Sequence, residues 1–409
     1  MTGFHTYTLS SGLRVIMADG PSEVIYCGIA VGAGTRHELP HESGMAHFTE
    51  HMTFKGTERR RSWHVTQRME SVGGDLNAFT GKEETVYYCT CLRQHTARAI
   101  DLLFDVVQHS TYPQSEMEKE VEVVVAEIES YNDSPSELIY DEFEARLFQG
   151  HPLGRNILGD ADLLRRHTSD DMKAFVRRLY TPDRITFFIY GKVDEKRVLK
   201  MIEQRTPSQS VAVESIPTTP VSPTNTMGWS EVLHRDCHQT HVMLGSRGFG
   251  GNDERHLALF LLNNILGGPA MSSRLGQVLR EKNGLVYTVE STLTTYTDTG
   301  VWAVYFGCAN EDLKRCLRLV HGELQRLTDA PLTAHQLAAA KRQLIGQLGI
   351  SYDNYENVAI GMGKRFLHYN RTQTAQQLYD RINAITADEL LQTARTTFAP
   401  ERLSQLVMD

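Results

Sequence analysis

No apolar run in this chain approaches the roughly 20 residues that a membrane-spanning helix needs, which excludes a helical span. No dense block of Lys or Arg occurs either. With Lys+Arg 42 against Asp+Glu 50 and a net charge of -8, the chain is a poor nucleic-acid binder. Cysteine is sparse: Cys27, Cys89, Cys91, Cys237, Cys308 and Cys316, with no Cys-x-x-Cys. That spacing excludes a Cys-based metal site and suits buried free thiols in a reducing compartment. Met1–Gly20 lacks a basic segment followed by an uninterrupted apolar core, so it reads as a strand pair around Ser11-Gly12 and not as a signal peptide. A cytoplasmic location is the resulting expectation.

What is present is an ordinary globular composition over 409 residues, with 41% hydrophobic and 22% charged residues. Those values exclude wholesale disorder, and the length calls for two or more domains. The clearest break is Thr206–Thr226, where Pro207, Pro217, Pro220 and Pro223 stand among Ser, Thr and Val. Such a segment reads as an extended linker. It divides the chain into 1-205, a linker 206-226, and 227-409.

The two sides repeat one order. In the first, strands are predicted at Leu13–Ala18, Val24–Ala33, Asp75–Phe79, Thr85–Leu92 and Arg184–Tyr190. Helical periodicity covers Glu42–Phe54, Ser62–Val72, Gln94–Gln108, Gln114–Phe148 and Ser169–Leu179. In the second, strands are predicted at Glu231–His234, His241–Ser246, Leu285–Thr294, Val301–Gly307 and Leu403–Met408. Helices are predicted at Asp253–Leu266, Ser272–Lys282, Glu311–Leu327 and Thr333–Phe366. Runs of strands and runs of helices predict an α+β fold: two homologous domains of about 200 residues, each a mainly antiparallel sheet packed with helices.

The strongest chemical signal is His47-Phe48-Thr49-Glu50-His51. Two His at i and i+4 lie on one helix face, so both imidazoles can reach one ion. Glu50 lies beside them without being a necessary ligand, placed to take a proton from an activated water. This is the inverse of the His-Glu-x-x-His order, the inverzincin motif. A catalytic zinc also needs about three protein ligands and an open position. The segment Glu116–Tyr131 is rich in carboxylates, yet Val121, Val123, Val124, Val125, Ala126 and Ile128 make it apolar around Glu127. Glu120 and Glu127 are two turns apart on one stripe; the stripe is either a solvated acidic face or a buried one, in which two carboxylates are costly unless a cation compensates.

These residues resemble the pitrilysin-type zinc metallopeptidases, in the branch of about 400-residue subunits that includes the mitochondrial processing peptidase. Further matches are Phe54-Lys55-Gly56-Thr57, Gly73-Gly74-Asp75-Leu76-Asn77-Ala78-Phe79-Thr80, Met271-Ser272-Ser273-Arg274-Leu275 and Arg280-Glu281-Lys282-Asn283-Gly284-Leu285-Val286-Tyr287. The resemblance covers essentially the whole chain, in order. In the second half Leu257-Ala258-Leu259-Phe260-Leu261 stands where the histidines would recur, and Gln343-Leu344-Ile345-Gly346-Gln347 near the counterpart of Glu127.

The resemblance implies two domains related by a pseudo-two-fold, and one Zn2+ per subunit held by His47, His51 and Glu127. Glu50 would be the proton acceptor. Glu120 would orient a ligand, or act as a substitute ligand. Asp75–Thr80 matches an exposed edge strand, where Asn77, Ala78 and Phe79 would meet an extended peptide; the plainer alternative is an ordinary hairpin strand with Asn77 in a turn. Arg280 and Tyr287 match a pair that touches the substrate carbonyl, against a helix-end charge and a core tyrosine. The implied function is a zinc metalloendopeptidase that hydrolyses unstructured peptides inside a clamshell chamber. The implied assembly is a homodimer, or a heterodimer with an inactive homologue. The alternative is a non-catalytic partner or scaffold subunit of a peptidase heterodimer.

Overall fold

The computed structural model describes residues 3–206 and 227–409. The expected linker, 206-226, lies outside them apart from Thr206. The first half supplies β1 (Phe4–Thr8), β2 (Arg14–Ala18), β3 (Val24–Val31), β4 (Asp75–Thr80), β5 (Thr85–Leu92) and β6 (Ile185–Tyr190). Its helices are α1 (Met45–Thr53), α2 (Ser62–Glu70), α3 (Thr96–His109), α4 (Gln114–Asn132), α5 (Pro135–Leu147), α6 (Ala161–Leu164), α7 (Ser169–Leu179) and α8 (Glu195–Glu203). The second half supplies β7 (Ser230–Leu233), β8 (Thr240–Phe249), β9 (Val286–Thr295), β10 (Thr299–Cys308) and β11 (Ser404–Met408). Its helices are α9 (Arg255–Gly267), α10 (Leu313–Asp329), α11 (Ala334–Ser351), α12 (Tyr355–Tyr369), α13 (Ala375–Ala384) and α14 (Ala387–Thr397).

Among the described residues the first sheet has the order β1-β2-β6-β3-β5-β4 and the second β7-β11-β8-β10-β9. Apart from the extra β1, the two orders correspond strand for strand. So does strand direction: β2 runs parallel to β6 as β7 does to β11, and every other pair is antiparallel. This is the duplicated, mixed α+β architecture.

Both long predicted helices are in fact two. Gln114–Phe148 breaks before Pro135, which starts α5 at its first turn, where proline's missing N–H costs nothing. Thr333–Phe366 breaks before Asn354, whose side chain accepts from the Asn357 N–H and so caps α12. The predicted helix Ser272–Lys282 holds a π-helical turn over Gly276–Glu281.

Those breaks redirect the chain. One compact unit holds the described residues up to Glu129, Arg155 to Thr206 and Ser351–Thr374. The other holds Ser130–Gly154, Met227 to Ile350 and Ala375–Asp409. Helix α12 of the second half therefore belongs to the first sheet, and α5 of the first half to the second.

The sheet sequences show why such a cover is needed. β6, Ile-Thr-Phe-Phe-Ile-Tyr, is buried throughout. Ile185, Phe187 and Ile189 enter a core with residues of α1, α3 and α7. Phe188 and Tyr190 face the other way and pack with Ala359, Met362, Phe366 and Leu367 of α12. A Cβ added at Gly363 would lie 2.4 Å from the Phe188 ring, so glycine lets α12 sit this close. In the second unit Leu138, Ile139, Phe143 and Leu147 of α5 cover Met243, Ala303, Tyr305, Leu406 and Met408 in the same manner. No helix among the described residues is long and apolar enough to cross a membrane.

Candidate metal centre

Helix α1 starts at Gly44, whose φ of 83° is left-handed and whose added Cβ would lie 2.8 Å from the Leu158 carbonyl oxygen. The buried Glu38 carboxylate accepts from the Ala46 N–H at 2.9 Å and the Gly44 N–H at 3.3 Å. It thereby satisfies two backbone donors that a helix start leaves free, while burial raises its pKa to about 8. The helix packs on β4, and the His47 and His51 rings stand 4.6 Å apart between centroids.

Across from them α4 presents Glu127. Its Oε2 lies 3.8 Å from His47 Nε2 and 3.7 Å from His51 Nε2. One ligand atom from each of the three lies within 4.8 Å of the others. These separations exceed hydrogen bonds and approach the ~3.4 Å between ligands that share a tetrahedral ion at bond lengths of about 2.0–2.2 Å. Two imidazoles and one carboxylate are a donor set suited to zinc.

Glu120 is not in that group. Its Oε1 lies 3.0 Å from His51 Nδ1, and its Oε2 lies 2.6 Å from Lys55 Nζ. It therefore orients the His51 ring, in the manner of carboxylates behind metal-bound histidines, and is itself held by Lys55. Of the carboxylates on α4, Glu120 is deeply set, with its side chain 12% exposed, whereas Glu127 is 39% exposed and opens to solvent. Val123, expected in the apolar set, is 53% exposed.

The electrostatics suit a cation. Glu50, Glu120 and Glu127 surround two imidazoles, with Lys55 as the ammonium. Burial, aided by the neighbouring His51, lowers His47 to about 4, so its imidazole is neutral and free to ligate. Burial also opposes charge on His51, but Glu120's hydrogen bond and the charges of Glu50, Glu120 and Glu127 outweigh it and raise its pKa. Glu120 is lowered, because His51 and Lys55 overcome its desolvation. Burial raises Glu50, against the Thr80 hydrogen bond and His51.

Strand β4 is an outer strand of its sheet, bonded to β5 on one side. Asn77 is exposed and lies within the strand, not in a turn; its Oδ1 accepts from the Ala78 N–H at 2.9 Å. Phe79 packs edge-on against Tyr88, under Lys364 Nζ at 5.6 Å. Thr80 ends the strand and donates to Glu50 Oε2 at 2.6 Å. In the second unit Arg280 lies in the π-helical turn and pairs with Glu281 at 2.9 Å. Tyr287, at the start of β9, is 89% exposed and so is no core tyrosine.

Three residues near this site carried no assigned role from the sequence: Lys55, Thr80 and Glu38. Lys55 and Thr80 stand inside the matched segments Phe54–Thr57 and Gly73–Thr80, which was the available signal. Nothing local marks Glu38, which reaches the helix start from a preceding loop.

Comparison with known proteins places the chain in a family. Residues 14–161 match the family model described as Insulinase (Peptidase family M16), and residues 166–344 the one described as Peptidase M16 inactive domain. The uncharacterized zinc protease YmxG of Bacillus subtilis is 31% identical over 98% of this chain and 97% of its own. An uncharacterized zinc protease of Mycobacterium tuberculosis is 34% identical over 95% of this chain and 89% of its own. The chain belongs to the M16 peptidase family. Its fold superposes on the crystal structure of a protease from Helicobacter pylori with a TM-score of 0.91, at 22% identity, covering 100% of this chain and 99% of that one.

Proposed function

We propose that the protein is a zinc-dependent endopeptidase acting on unstructured peptides. The observation that carries this reading is the convergence of His47, His51 and Glu127 beside the half-buried Glu50 and an outer strand of the sheet. His47, His51 and Glu127 would hold one zinc per chain. When bound, zinc supplies a Lewis acid that acidifies water and polarises the scissile carbonyl. Glu50 accepts the proton of the attacking water and returns it to the leaving amine; its raised pKa brings it closer to the working range of such a base. Glu120 fixes the His51 ring. The outer edge of β4 would pair main chain to main chain with an extended substrate along Asn77, Ala78 and Phe79, a mode that would tolerate varied sequence and require an extended chain.

The family resemblance supports a homodimer enclosing a chamber, in which Arg280 and Tyr287 of a second copy complete each site. Mixing Glu50→Gln with Tyr287→Phe subunits tests this: one site of the mixed dimer regains both groups, so roughly half the activity returns if pairing is symmetric. Shown subunit exchange without recovery rejects completion by a second copy.

The central test pairs zinc content with cleavage of an unstructured peptide. Glu50→Gln should keep zinc and lose about 10²–10⁴-fold in turnover. His51→Ala should lose both. A wild-type protein full of zinc but without turnover would instead be a scaffold subunit.

A further inference from the structure

Thr80 joins two parts that the peptidase reading treats separately. It is the last residue of β4, the strand that would carry substrate, and it donates to Glu50, the proposed proton acceptor. The direction of that bond is fixed by its surroundings. Thr85 Oγ1, 3.5 Å away, gives its single proton to the Ala33 carbonyl at 2.8 Å and so cannot donate to Thr80. Thr80 therefore has one proton to give, and the carboxylate at 2.6 Å is nearer than Thr85. Among the described residues Glu50 has no other hydrogen-bond donor. One of its oxygens is tied to the strand and the other is left for proton transfer.

The strand is held at both ends, and at its start the Gly74 N–H donates to the Met69 carbonyl at 3.0 Å. At its Thr80 end the Gly81 N–H donates to the Glu84 carbonyl at 2.7 Å, Arg36 pairs with Glu83 at 2.6 Å, and Lys364 pairs with Glu84 at 2.5 Å. Among the described residues β4 is bonded along its length to β5 alone, and its outer edge, where Asn77 Oδ1 holds the Ala78 N–H, adds a strand once that side chain swings aside.

We infer that Thr80 is a positioning residue that makes the orientation of Glu50 depend on occupancy of the β4 edge by an extended peptide. The inference rests on the peptidase reading. A peptide paired along β4 restrains Thr80, and Thr80 restrains the carboxylate. Binding energy from substrate residues remote from the scissile bond then appears in kcat and not only in KM.

The test uses zinc-loaded wild type, Thr80→Val, which keeps the shape and removes the hydroxyl, and Thr80→Ser, which restores it. Unstructured peptides of increasing length share one scissile bond. Wild-type kcat should rise with length until β4 is covered. Thr80→Val should lower kcat at least about tenfold on the long peptides and flatten the length dependence, with KM within about twofold and zinc content unchanged. Thr80→Ser should recover both. In parallel, the infrared difference between wild type and Glu50→Gln isolates the Glu50 carboxylate band, which a long peptide should shift in wild type but not in Thr80→Val. Unchanged kcat in Thr80→Val, failure of serine to rescue, or loss of zinc with the hydroxyl would each overturn the inference. A band shift without any cleavage would keep the link and reject the peptidase reading.

Discussion

The two halves of this chain share strand order, strand direction and even a matching helix cap, yet among the described residues one holds a His-His-Glu cluster that could bind a metal and the other does not. Helix α7 begins with a reciprocal cap between Thr168 and Asp171, and its counterpart α14 with the same cap between Thr386 and Glu389. The halves part company at α1 and α9. Helix α1 offers His47, Glu50 and His51 toward α4, whereas α9 buries Leu257, Ala258, Leu259 and Leu261. The same scaffold position carries the paired histidines in one copy and packing leucines in the other. Function resides in the side chains placed on the fold, not in the fold.

That contrast can be broken most sharply at the paired helices. His47→Leu should abolish zinc binding and reduce turnover to the uncatalysed level, while metal-free stability changes little. Leu261→Ala, on the counterpart helix, should cost about 2–5 kcal/mol in denaturant unfolding and leave zinc content intact. Loss of zinc in Leu261→Ala would mean that the two copies are not separable in this way.

The next effect distinguishes how the two sheets are covered. On the first, Glu84 meets Lys364 and His368 of α12, at 2.5 Å and 2.8 Å. Burial opposes its charge, but these partners prevail and hold its pKa at about 2 instead of 4.5. A depressed carboxylate stabilises the fold above pH 4.5, and that contribution fades as pH falls toward 2. Glu84→Gln should therefore cost on the order of 3 kcal/mol at neutral pH and flatten the acid limb of the stability profile. An unchanged acid limb rejects the clamp.

Gly363→Val should cost about 1–3 kcal/mol by forcing α12 off Phe188, seen as a fall in Tm. The smallest effects sharpen the likeness of the halves. Thr168→Ala and Thr386→Ala should each cost about 1 kcal/mol, and unequal values would show that the matching caps bear different loads.

Much of this was legible in the sequence because it is local or periodic. His47, Glu50 and His51 fall on one face by helical spacing alone. Glu120 and Glu127 share a stripe for the same reason, and the outer position of β4 followed from the matched segment Gly73–Thr80. The helix breaks were legible too, since Ser134-Pro135 and Asn354 are ordinary start signals that the apolar pattern overrode. The exchange of α5 and α12 was not. Continuous burial of β6 announces that both faces are covered, but no local pattern says which segment covers the second. The partners Lys55–Glu120 and Thr80–Glu50 were equally invisible, because each joins residues that only the packed helix and strand bring together.

The exchanged helix also sets a schedule. During synthesis β6 is complete at Tyr190, but α12, which covers Phe188 and Tyr190, begins at Tyr355, that is 355 − 190 = 165 residues later. At roughly 5–20 residues per second the ribosome needs about 8–33 s to cross that interval. For that time Ile16, Ala18, Ala30, Val86, Phe188 and Tyr190 form an apolar face without its final cover. A nascent chain stalled within the interval should be a client for chaperones that hold exposed apolar surface, and one stalled well past Tyr369 should not.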